Sequence, residues 1–155
     1  MNMDHMNKWL TLVANLGVIA GIAILAIELR QNSNAVHSQT RSQISIAYAE
    51  LLQTQQLDQA LLEALIRLDS DEPIERVDLR RVMMNVLSHL RLGENSFYQL
   101  RQGNYSEGEF EGEKNWWQNY LSQPVTREIW NNVKYDFSPR FREELDALIA
   151  ENSNP

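Results

Sequence analysis

The residue types that most often carry catalysis or hold metals are thinly spread in this chain. His5, His37 and His89 lie far apart, and none has a second histidine or a carboxylate three or four positions further on. That is the spacing that points two ligands the same way from one helix. There are no cysteines, which removes disulfides, thiolate metal sites and a cysteine nucleophile together. No Gly-x-Ser-x-Gly elbow, phosphate-binding glycine loop or zinc-protease motif occurs. The sequence therefore implies no metal, no cofactor and no catalytic residue, and an enzyme is not the expected reading.

What remains is a set of residues suited to contact. In RLGENSFY, residues 91–98, Glu94 falls four after Leu90 and three before Phe97, at the border of an apolar helical stripe. A carboxylate there must be paired or stay protonated. Bonded to an arginine, a tyrosine hydroxyl or a capping amide it is structural; left free it can meet a ligand. Asn95 and Tyr98 beside it, with Trp117 and Trp130 from the aromatic-rich last third, are the other residues expected at a ligand or partner contact. This holds if those aromatics wall an apolar pocket; the competing expectation is that they fill a core. Glu107, Glu109, Glu111 and Glu113 alternate along a helix start, where the dipole favours acids and where all four are expected to stay wet. They do not form the multi-oxygen loop that calcium needs.

Such contacts need elements to position them, and composition limits the choice. At 155 residues, 43% hydrophobic and 23% charged, the chain has one domain's worth of material. Its net charge is -7 and no basic run exceeds Arg80-Arg81, so nucleic acid is not an expected partner.

Residues 9–27, WLTLVANLGVIAGIAILAI, carry no charge, and only Thr11 and Asn15 are polar. As a helix this run extends roughly 28 Å at ~1.5 Å per residue, close to the hydrocarbon thickness of a bilayer. A cleavable signal would have a shorter apolar region and a small-residue cleavage site; here the run passes directly into Glu28-Leu29-Arg30-Gln31. An uncleaved transmembrane helix over 9–30 is the expectation, after a tail at 1–8, with the lipid bilayer as partner. On a helical wheel Ala14, Gly17, Gly21 and Glu28 share one face and Asn15 lies on a second. Small residues allow close helix packing in lipid, and an amide can bond across to a neighbour. Glu28, at the interfacial end, can stay wet or meet a cation on an adjacent subunit. Two such faces favour a homo-oligomer, a ring, or insertion into a larger membrane complex.

Helical spacing continues from Val36 to Leu52, so an extension over 31–54 is expected, then a helical soluble domain over 55–151 and a frayed end at 152–155. Within the domain, apolar positions from Leu57 to Leu68 mark one amphipathic segment, closed by acids and Pro73. A longer one runs from about Ile74 to Gln102, with Gly103 as its stop. Ser106-Glu107-Gly108-Glu109 is a capping-box pattern, and Pro124 and Ser138-Pro139 mark two further starts. No segment alternates with period two. The fold class is all-α: one N-terminal transmembrane helix continuing into a small bundle of about five further helical segments.

The chain resembles a group of short, uncharacterised bacterial proteins with one N-terminal membrane helix and a helical soluble domain. The resemblance is carried by Trp9-Leu10, the stretch from Gly17 to Gly21, Glu28 to Asn32, Glu94-Asn95-x-Phe97-Tyr98-Gln99, Gly103 and the region from Trp130 to Phe141. It implies fold, anchorage in a bacterial inner membrane and no catalytic residue. The acidic stretch from Glu107 to Glu113 departs from that pattern. The expected function is a membrane-anchored interaction or scaffold module, self-associating or an accessory subunit of a larger complex. The alternative is a ligand-responsive membrane effector, a ring-forming, channel-like assembly gated by the soluble domain. That domain is expected on the cytoplasmic side, because a short, nearly neutral tail is easily translocated.

Overall fold

A computed structural model of the chain describes residues 3–70 and 72–151; the end at 152–155 lies outside them. Among the described residues six α-helices follow in order: α1 (Met3–Leu57), α2 (Gln59–Asp69), α3 (Arg76–Arg101), α4 (Glu107–Ser122), α5 (Pro124–Val133) and α6 (Pro139–Glu151). A single 3-10 turn, Lys134–Asp136, joins the last two. Among the described residues there is no strand. The all-α class and the five helices beyond the first are as the periodicity implies. The chain forms two units that meet between Gln39 and Thr40, within α1.

The first unit is helix alone. Its apolar side chains from Trp9 to Leu29 are all exposed, and α1 holds a window long and apolar enough to cross a membrane. Thr11 Oγ1 donates to the Asn7 carbonyl one turn back at 2.9 Å.

In the second unit the helix ends are set by local chemistry. Asp58 caps α2 by accepting from the Leu61 amide at 3.1 Å. Ser106 and Glu109 form a reciprocal capping box at the start of α4. Gly103 adopts φ +72°, a left-handed conformation that costs glycine nothing. The amides of Gly103 and Asn104 then close back on Leu100 and Gln99, each at 2.9 Å, which satisfies carbonyls that end α3.

The core joins α2 to α6 around buried Leu90, Trp117, Trp130, Phe141 and Leu145. α3 and α4 run antiparallel in a register set by small residues. His89 faces Trp116 and Tyr120, Gly93 faces Trp117, and Phe97 faces Phe110 at 5.8 Å. A Cβ built on Gly93 would fall inside the Trp117 indole, so only glycine allows the two helices this approach.

Gly93→Ala should therefore destabilise the domain by about 1–3 kcal/mol through overpacking. In Gly112→Ala the added methyl meets open space and should stabilise α4 by roughly 0.5–1 kcal/mol. Urea unfolding followed by tryptophan fluorescence measures both; equal effects would show that the α3–α4 contact is not the constraint.

Candidate functional site

The residues of the apolar helix, Ala14, Asn15, Gly17, Gly21 and Glu28, all lie exposed on α1. A Cβ on Gly17 or Gly21 would meet nothing within 4 Å. Thr11 is satisfied by its own helix, whereas the Asn15 amide bonds to none of the described residues.

Glu94 is held on two sides. Its Oε2 accepts from Arg91 Nη1 at 2.9 Å and its Oε1 accepts from the Ser138 backbone amide at 2.7 Å, at the mouth of α6. Arg91 also donates to the Asp136 carbonyl at 3.2 Å and lies 4.1 Å over the Phe137 ring. This pair therefore ties α3 to the turn before α6, across 44 residues of sequence. Asn95 and Tyr98 are exposed on the same helix. Trp117 and Trp130 are buried in the core; the Trp130 indole donates to Asp146 Oδ1 at 2.9 Å. The structure thus ties Glu94 to backbone and arginine and places the two tryptophans in packing.

A different set of polar side chains does converge. Arg41, Tyr48 and Gln55 are spaced by seven on α1, and each reaches another element. Arg41 pairs with Glu109 at 2.8 Å, Tyr48 Oη donates to Glu113 Oε2 at 3.2 Å, and Gln55 Nε2 lies 3.3 Å from His89 Nε2. Between them Ile44 is buried. Tyr105 Oη donates to the other Glu113 oxygen at 2.9 Å. Ser96 Oγ, fully buried beneath the pair and without a hydrogen bond of its own, lies beside Glu113 and Tyr48.

The expectation that all four acids of α4 stay wet is corrected here. Glu107 and Glu111 are exposed, but Glu109 and Glu113 share the inward face, and Glu113 is half-buried. Burial raises its pKa above the usual carboxylate value, opposed by the Tyr105, Ser96 and Tyr48 hydroxyls around it. Burial, with the adjacent carboxylate, also raises both Tyr48 and Tyr105, so these phenols remain protonated donors. His89 Nδ1 lies 3.0 Å from the Asn85 carbonyl. A carbonyl only accepts, so that nitrogen carries the proton, and Nε2 is free to accept from Gln55. Burial lowers the pKa of His89 and keeps the ring neutral. It stacks on Trp116 at 5.1 Å, and Trp116 stacks on Tyr120 at 4.5 Å. Tyr48, Leu52, His89, Glu109, Glu113 and Trp116 wall a cavity of about 390 Å³. Sequence reasoning missed this set. The available signals were the seven-residue spacing on α1 and the four-residue spacing of Glu109, Glu113 and Trp117.

Comparison with known proteins finds no matching family model, and no curated protein or solved structure is similar to the chain.

The Glu113 shift has a definite sign. A carboxyl raised in the folded state binds more protons than its unfolded counterpart, so its contribution is full below about pH 4.5 and is lost as pH rises through the folded value. His89, depressed in the folded state, contributes in the opposite sense: fully above 6.5, lost as pH falls from there. Glu113→Gln removes the first and turns one accepting oxygen into an amide donor, which a phenol oxygen can accept by rotating its hydroxyl, and should still melt about 2–4 °C above the wild type at pH 7.5. That advantage should shrink toward pH 4.5; thermal melts across the range measure it, and an advantage growing with acid would contradict the assignment.

Proposed function

We propose that this chain is a single-pass membrane protein of a bacterial inner membrane. Its N-terminal helix anchors it and packs laterally against other membrane helices, and its helical domain serves as an interaction module. Self-association and membership of a larger membrane complex are both consistent with this role, and the domain is assigned to the cytoplasmic side. The resemblance to short bacterial membrane-anchored proteins points the same way.

One observation carries the reading. On a helix whose apolar side chains are all exposed, Thr11 is satisfied by its own backbone, while Asn15 is left with an unmade amide bond and Gly17 and Gly21 with open surface. Lipid covers apolar side chains, but an amide in lipid needs a partner on its own helix or on a neighbouring one, and here its own helix supplies none. A helix that merely tethers a domain needs neither feature.

The second reading, a ligand-responsive membrane effector, draws support from the Glu113 cavity. Glu94 does not contribute to it, because its carboxylate is already taken by Arg91 and Ser138.

The test is the mass of the full-length protein, extracted gently from its membrane with whatever accompanies it. Asn15→Leu should weaken its association by about fivefold, the equivalent of ~1 kcal/mol. Gly17→Leu combined with Gly21→Leu should abolish close pairing. If both variants keep the mass and partners of the wild type, lateral packing by this helix is refuted.

A further inference from the structure

The Glu113 cavity holds a negative charge with nothing positive on it. Each carboxylate oxygen accepts one bond, from a neutral phenol in both cases, and among the described residues no cation pairs with it. The nearby Arg41 is spent on Glu109, at the exposed rim. An ionised carboxylate has about four lone-pair sites, so the two phenols leave about half of its accepting capacity unused. Behind it, the buried Ser96 hydroxyl has no bond of its own and is a spare donor to the ionised form. The walls are aromatic and aliphatic: Tyr48, Leu52, His89 and Trp116. The Trp116 ring is braced by His89 and Tyr120 and still partly exposed, at 40%.

We infer that this cavity binds a small organic ammonium ion, its cationic nitrogen seated on the Glu113 carboxylate and its apolar body against Trp116, Tyr48 and Leu52. The chemistry selects this class over others. Anions are repelled by Glu109 and Glu113. A metal ion wants several oxygen or nitrogen ligands within bonding distance, and among the described residues no group of three or more histidine, aspartate or glutamate side chains gathers to hold one. An ammonium ion needs one carboxylate and gains from aromatic faces, where cation–π attraction grows as water is displaced. The volume of about 390 Å³ is in the range of small-molecule sites, which run roughly 300–1,000 Å³. The buried carboxyl raised by desolvation is the expected signature of a site that is less stable empty than filled.

The inference deepens the ligand-responsive reading, but binding itself does not depend on how the membrane helices assemble. Full-length protein in mild detergent at pH 7.5 is titrated with phenethylamine, with its neutral analogue phenethyl alcohol, and with 3-phenylpropionate, followed by calorimetry and by Trp116-sensitive fluorescence. The amine is expected to bind at least about tenfold more tightly than the alcohol, a difference of ~1.4 kcal/mol, and the carboxylate not at all. Glu113→Gln should erase that preference while raising thermal stability, which separates lost binding from lost folding. Glu107→Gln, exposed on α4 and outside the cavity wall, should change the amine affinity less than threefold. Equal binding of amine and alcohol, no saturation by the amine up to roughly 10 mM, or a preference that survives Glu113→Gln would each overturn the site. Amine binding that leaves the oligomeric mass unchanged would uphold the site and refute only the effector reading.

Discussion

The domain turns on the contact between Gly93 and the Trp117 indole. A fully buried tryptophan can press its indole this close to a helix only where that helix has no side chain, and this single approach fixes both the separation and the rotation of α3 and α4. Ser96, three residues after Gly93, is the next small residue on that face, and Glu113, four before Trp117, is the residue that meets it. His89, four before Gly93, meets Trp116 and Tyr120 in the same register. The mutual placement of His89, Ser96 and Glu113 thus follows from one missing Cβ, and α1 brings Tyr48 to them.

The same register explains why a carboxylate is half-buried here. Glu113 lies one helical turn from Trp117, so α4 cannot bury the indole without drawing the acid inward. Two phenols and a serine then surround it, which lowers the cost of burial without cancelling the charge. An uncharged residue here would avoid the desolvation that raises the Glu113 pKa.

Glu94 makes a useful contrast. It carries the same charge but is clamped between Arg91 and the Ser138 amide, where it closes the start of α6. One acid is spent on structure and the other left open, and their neighbours, not their helical positions, make the difference. Residues 3–39 follow a separate logic. With no part of the apolar stretch buried, their surroundings must supply what a core supplies elsewhere.

Much of this was legible in the sequence. The helices from α2 to α6, the Ser106 box, the Gly103 stop and the apolar stretch are written in spacings of three or four residues, because backbone hydrogen bonding and capping are satisfied within one turn. The fate of a polar side chain is not written there. Glu107, Glu109, Glu111 and Glu113 look alike in a row, and only the helix rotation set by Gly93 and Trp117 turns two of them inward. Trp117 and Trp130 read equally well as pocket wall or core filler until their neighbours are known. The sequence determined which segments are helical and which one is apolar enough for a membrane, since those depend on near neighbours. The tertiary structure alone decided which acid is clamped and which is left facing a cavity, because burial and pairing depend on residues dozens of positions away.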